Sequence, residues 1–199
     1  MKRKSTVYAA FVLLLSLLAV CMAMPASAAS KKSQAVSAYR AYLETQGENA
    51  LFDLIYLNKD SVPELTVNKE IYTFKNGSMV KLESSLLLMY WPSTYYKKKG
   101  VMTLGYAHGG YFPSQFVRYV KMSGKKLISK MEIGKYGETN MSTGKVKWTT
   151  SYSVQKGGTA KTVKKAAFNK ALKKLVGTKK ATKIKQLQNT EANRAKYLK

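Results

Sequence analysis

Across residues 33–46 apolar side chains return every three to four positions: Val36, Tyr39 and Leu43, with Ala35, Ala38 and Ala41 beside them and Gly47 where such a segment would stop. The spacing predicts a short amphipathic helix that packs on the strands after it. The period then falls to two. Residues 52–57 read as a largely buried strand, and Glu64, Leu65, Thr66 and Val67 as a second strand after a turn. Residues 71–74 and 79–82 flank Lys75-Asn76-Gly77-Ser78, where Asn-Gly supplies the positive φ angles of a tight hairpin. Ser123-Gly124 separates residues 117–121 from 127–131 in the same way. Thr143-Gly144 precedes a cleanly alternating run, with Val146, Trp148, Thr150, Tyr152 and Val154 on one face and Lys145, Lys147, Thr149, Ser151 and Ser153 on the other.

From Thr159 the period returns to that of a helix. Val163, Ala167, Phe168, Ala171, Leu172 and Leu175 form one side, lysines cover the rest, and Gly177 suits a C-terminal cap. Residues 178–185 read as a lysine-rich link. Asn189-Thr190-Glu191 opens a last short helix ending at Leu198. Gly77, Gly100, Gly124 and Gly144 recur at intervals of 23, 24 and 20 residues. Choline-binding repeats have such a period but need regularly placed tryptophans, and only Trp91 and Trp148 are present, so an ordinary meander is the expectation. The fold class is therefore α+β: an N-terminal helix, an antiparallel β-meander of six to eight strands, and C-terminal basic amphipathic helices.

The N-terminus changes the picture of what the mature chain contains. Lys2, Arg3 and Lys4 precede an apolar segment over residues 7–20, followed by Pro25-Ala26-Ser27-Ala28, a small-residue cleavage site. This is the layout of a secretory signal peptide, and the apolar run is short of the roughly 20 residues a spanning helix needs. Residues 18–21 resemble a lipobox, but Val20 stands where a small residue belongs. Residues 1–28 are expected to be the signal and residues 29–199 a single secreted domain, in which 29–158 form the helix and meander and 159–199 a basic helical tail. Cleavage after Ala28 would remove Cys21, the chain's single cysteine, and with it disulfides and thiol chemistry. An exported chain without cysteine suits Gram-positive secretion, either released or held at the cell surface.

Charge is distributed unevenly. The chain carries +25, and loss of the three basic signal residues would leave +22. Residues 29–90 hold seven basic and seven acidic residues, whereas residues 91–199 hold 25 basic residues against Glu132, Glu138 and Glu191. A one-sided excess of this kind concentrates anionic partners within the roughly 8 Å screening length of physiological salt. The candidate contacts are Lys97, Lys98, Lys99, Lys125, Lys126, Lys164, Lys165, Lys173, Lys174, Lys179 and Lys180. The expected function is non-enzymatic binding of anionic polymers at the cell envelope: wall polymer, anionic lipid headgroups, host glycosaminoglycan or extracellular DNA. Alternatives are a wall-active hydrolase using Asp53, Asp60 or Glu64 and a membrane-active protein using the apolar stripe of residues 163–175.

Catalytic groups are scarce. His108 is the single histidine and lies in Gly105-Tyr106-Ala107-His108-Gly109-Gly110, read as a flexible loop, where it is at most a base for Ser114. There is no phosphate-binding glycine motif, nucleophile elbow or HExxH pair. No small-molecule cofactor is expected.

The stretch Tyr56-Leu57-Asn58-Lys59-Asp60-Ser61-Val62-Pro63-Glu64-Leu65 resembles D-x-N-x-D-G-x-P-E-L, a loop of exported Gram-positive proteins similar to EF-hand and dockerin calcium loops. That resemblance implies metal positions at Asn58, Asp60, Val62 and Glu64. Tyr56 replaces the first carboxylate, Ser61 the turn glycine and Val67 the final glutamate, and Lys59 adds positive charge. A degenerate loop retaining its turn is the expectation, with calcium as the alternative. The Asn-Gly hairpin, the tyrosine-rich strands and the N-T-x-x-N element at residues 189–193 extend the resemblance. It implies an exported, surface-associated domain and transfers no catalytic residue.

Overall fold

Both parities of the early strands are apolar, which gives the sheet they form two buried faces. In the computed structural model the described residues are 30–83, 90–110 and 112–199. The chain divides into two units, Met1–Ser30 and Lys31–Lys199. The expected signal peptide lies outside the described residues, and all the described helices and strands belong to the second unit.

Helix α1 (Lys31–Glu44) is followed by strands β1 (Leu51–Ile55), β2 (Glu64–Val67), β3 (Glu70–Lys75) and β4 (Ser78–Lys81). A second run comprises β5 (Trp91–Tyr96), β6 (Val101–His108), β7 (Ser114–Ser123), β8 (Lys126–Thr139), β9 (Val146–Lys156) and β10 (Thr159–Thr162). Helix α2 (Lys165–Val176), strands β11 (Thr182–Lys183) and β12 (Leu187–Gln188), and helix α3 (Glu191–Tyr197) complete it. The mixed α+β class is as expected, but the meander is two sheets: β12-β1-β2-β3-β4 and β10-β9-β8-β7-β6-β5-β11, antiparallel throughout.

Phe52, Leu65, Val67 and Tyr72 of the first sheet pack with Val36, Tyr39 and Leu43 of α1 and with Leu198. The opposite parity, Ile55 and Ile71, packs with Met102, Leu104 and Val120 of the second sheet. The other face of the second sheet, through Tyr96, Val101, Tyr119 and Met131, takes Phe168 and Val176 of α2. The order is therefore helix, sheet, sheet, helix, with three apolar layers between. Burial of each large side chain in such layers is worth about 1.5–3 kcal/mol.

Two expectations are corrected here. Residues 159–162 are a strand, because Gly157 (φ +56°) and Gly158 (φ +85°) turn the chain back on β9, and α2 begins only at Lys165. His108 is not in a loop: β6 continues to it and pairs it with Ser114, with Gly105 in register between Trp91 and Val117.

The C-terminal segment closes both sheets. Thr182 and Lys183 pair with Tyr95 and Thr94, and Leu187 and Gln188 with Phe52 and Leu51. The N-T-x-x-N element then fastens the end of α1. Asn189, fully buried, donates through Nδ2 to the carbonyls of Leu43 (2.7 Å) and Gln46 (3.1 Å), and accepts at Oδ1 from Arg194 (3.1 Å). Thr190 caps α3 by accepting from the Asn193 N–H, and Arg40 donates to the Leu198 carbonyl.

Candidate functional site

Successive turns of an antiparallel ladder fall at alternate ends, which sorts the lysines of the second sheet. The β5–β6, β7–β8 and β9–β10 turns share one end and carry Lys97, Lys98, Lys99, Lys125 and, as the first residue of β8, Lys126. Helix α2 finishes at the same end: a Cβ on Gly177 would lie 3.5 Å from Lys99 Nζ. An ammonium there faces the partial negative charge of a helix C-terminus. Lys173 and Lys174 stand on that last turn, and Lys179 and Lys180 lie just before β11, which pairs with Tyr95. Nine of the expected lysines thus gather at one end. Lys164 and Lys165 do not: they begin α2, where Val163 N–H bonds the Tyr152 carbonyl partway along β9. Glu83 is the carboxylate residue here, its backbone bridging to Lys125 and Leu127.

Two further lysines, not among the expected contacts, complete the cluster. Lys121 pairs with Val101, beside the β5–β6 turn. Tyr119 pairs with Met131 but Val120 with Ser129, so Lys130 is the extra residue of a β-bulge. Bulges re-aim side chains, and here period-two counting across 127–131 assigns Lys130 to the wrong place. Lys121, Lys130 and Lys174 line one open groove of about 340 Å³. Its other walls include Met131 and Val154 from the sheet and Ala171 and Leu175 from α2. Lys121, Lys130 and Lys174 take part in no ion pair among the described residues.

The loop over residues 56–65 supports this end. The carbonyls of Tyr56 and Leu57 accept from Lys98 N–H (2.9 Å) and Gly100 N–H (2.6 Å), and Lys97 Nζ sits 5.6 Å from the centre of the Tyr56 ring. Side-chain oxygens of Asn58, Asp60 and Glu64 accept hydrogen bonds within the loop. Asn58 Oδ1 accepts from Asp60 N–H (2.8 Å), and Asp60 Oδ1 from Val62 N–H (3.0 Å). Glu64 is fully buried and accepts from Leu57 N–H (2.8 Å) and Asn58 Nδ2 (2.7 Å). Burial pushes its carboxyl up to about 7, the Asp60 charge adding, although both hydrogen bonds favour the ionised form. Val62 is buried against α1 and the first sheet. No cluster of three or more His, Cys, Asp or Glu suited to a metal occurs among the described residues.

The residues of the two alternative readings are also placed. Asp53 and Glu64 are buried, and Asp53 accepts from Lys185 N–H (2.8 Å), its carboxyl raised by burial. Asp60, the third carboxyl of the hydrolase alternative, is exposed on the loop, so an approaching polymer chain would meet that carboxyl and not the two buried ones. On α2, Phe168 and Val176 are buried and Ala171, Leu172 and Leu175 pack against the second sheet, so the apolar stripe is engaged within the fold. No described helix is long and apolar enough to cross a membrane.

No family model and no curated protein matches the chain. A solved structure described as "Structure of a Xanthomonas Type IV Secretion System related protein" is similar over 57% of this chain and 57% of its own, with 14% identity and a TM-score of 0.42. At that level the likeness assigns neither fold nor function.

Proposed function

We propose that the protein is a non-enzymatic binder of anionic polymers, exported and working at the cell envelope, with the lysine-rich end of the second sheet as its contact surface. The observation that carries this is the gathering of Lys97, Lys98, Lys99, Lys125, Lys126, Lys173, Lys174, Lys179 and Lys180, together with Lys121 and Lys130, at one end of the molecule. Flexible ammonium groups on separate turns suit a repeating phosphate or sulfate backbone, which needs neighbouring point charges and no exact geometry. The degenerate loop serves in this reading as the buttress of the β5–β6 turn, and calcium has no part in it.

The test is retention of the protein on wall polymer, heparin, DNA and anionic vesicles over a salt series. Retention should fall steeply with salt on the preferred matrix. A variant combining Lys125→Gln, Lys126→Gln and Lys173→Gln should lose retention and salt slope. One combining Lys135→Gln, Lys145→Gln and Lys147→Gln, on strands and a turn reaching the opposite end, should change both little. Salt-independent retention, or equal loss in the two variants, rejects the reading.

A further inference from the structure

The groove between α2 and the second sheet differs from the rest of the cationic end in having an apolar floor. Lys121 and Lys130 come from β7 and β8 and Lys174 from α2, while Met131, Val154 and Leu175 lie between them. A surface meant only for a hydrated polyphosphate gains nothing from leaving Val154, Ala171 and Leu175 half-buried around the buried Met131, because each leaves apolar area in water. Three ammonium groups beside the half-buried methyl groups of Val154, Ala171 and Leu175 match a ligand with both parts: a multiply charged head and a chain that displaces water from the floor. Phosphate fits better than carboxylate, because its two negative charges and several acceptor oxygens are shared among three donors without leaving one lysine unmatched. The volume, about 340 Å³, lies at the lower end of the range for small-ligand sites, enough for a head group and the first part of a chain.

From this we infer that the groove binds an alkyl or acyl phosphate, the chemistry of a lipid phosphate, with its head held by Lys121, Lys130 and Lys174 and its chain laid over Met131, Val154 and Leu175. This rests on the polyanion reading, since it names the ligand class for one part of the same surface. It adds a dependence on chain length that no purely electrostatic surface has. Each methylene buried on the floor should tighten binding about fourfold, from roughly 0.8 kcal/mol per buried CH₂.

The experiment titrates the full chain with inorganic, methyl, butyl and octyl phosphate, each below its micelle concentration. Binding is followed by calorimetry and by the methyl resonances of Met131, Val154 and Leu175. Octyl phosphate should bind at least tenfold tighter than methyl phosphate and shift those resonances. Lys121→Gln combined with Lys130→Gln should weaken all the phosphates at least tenfold. Ala171→Phe, which fills the groove, should abolish the chain-length dependence while leaving retention on wall polymer intact, with a cooperative thermal unfolding transition reporting that the variant is folded. Equal affinity for methyl and octyl phosphate overturns the inference while leaving the polyanion reading standing. Tight octyl phosphate binding with salt-independent polymer retention does the reverse. A vesicle arm distinguishes the sources: co-sedimentation with anionic phospholipid that Ala171→Phe reduces assigns the ligand to a bilayer, and monomer binding without it assigns a dispersed amphiphile. Both of those results support the site.

Discussion

Replacing Glu64 by Gln isolates the one carboxyl that the fold buries completely. Glu64 is held near neutrality, at about 7, by burial first and the Asp60 charge second, whereas an unfolded glutamate titrates near 4.3. A carboxyl raised on folding binds its proton more tightly in the native state. Its contribution to stability is therefore fully present below the unfolded value and is lost as pH rises through the folded one. Between about pH 4.5 and 7 the native state holds one proton more than the unfolded chain, a slope of about −1.4 kcal/mol per pH unit and roughly 3 kcal/mol across the window. The Gln variant cannot titrate, so that slope should vanish from it. The assay is urea unfolding of both proteins every half pH unit from 4.5 to 8, followed by tryptophan fluorescence. Asp53, also raised by burial, is common to both chains and cancels in the difference. Gln lowers the absolute stability where its amide N–H₂ meets the Leu57 or Asn58 donor, but that cost does not depend on pH. Parallel stability curves over the whole range would refute the reasoning, because they would mean that Glu64 titrates alike folded and unfolded.

Other perturbations test the joints of the fold. Asn189→Ala removes the side-chain donor to the Leu43 and Gln46 carbonyls, of which Leu43 keeps its Gln46 N–H partner, and should cost about 1–3 kcal/mol, measured by chemical unfolding. Gly177→Ala places a side chain at φ +66°, ψ −134° and 3.5 Å from Lys99 Nζ, and should cost about 1 kcal/mol or more in thermal unfolding. Arg118 pairs with Glu132 and lies 4.8 Å from the Tyr90 ring centre. Arg118→Met should therefore destabilise by a few kcal/mol, with much of the loss recovered by adding Glu132→Gln in a double-mutant cycle. Added calcium should leave Tm unchanged, because Glu64 is buried with its two oxygens held by Leu57 N–H and Asn58 Nδ2, while Tyr56 and Val67 supply no carboxylate; a rise of several degrees would assign the loop to a metal.

Local chemistry was legible wherever it decided local structure. Asn76 (φ +53°) and Gly77 (φ +76°) make the expected turn, and the alternation of residues 145–155 lies on β9. The split into two sheets is a tertiary matter. Apolar residues at both parities of residues 51–57 show two buried faces without saying which partner covers each. Strands β11 and β12, two residues each, owe their pairing to neighbours more than 80 residues away and leave no periodic trace. The helical spacing of residues 163–175 sets the expected boundary at Thr159, whereas the turn at Gly157-Gly158 and strand β10 move the helix start to Lys165. The lysine-rich end was half legible: charge counting finds the turns, while the bulge at Lys130 and the arrival of α2 beside Lys99 depend on packing.

The tail that zips both sheets has a consequence for timing. Asn189 meets Leu43 across 146 residues and Leu198 meets Arg40 across 158, so the contacts that lock the first helix wait for the last portion of the chain to emerge. Loop closure on that scale makes folding slow. During synthesis the first helix and the β1 edge of its sheet stay unlatched until residues 182–198 arrive, so the two ends of the described fold are completed together and last.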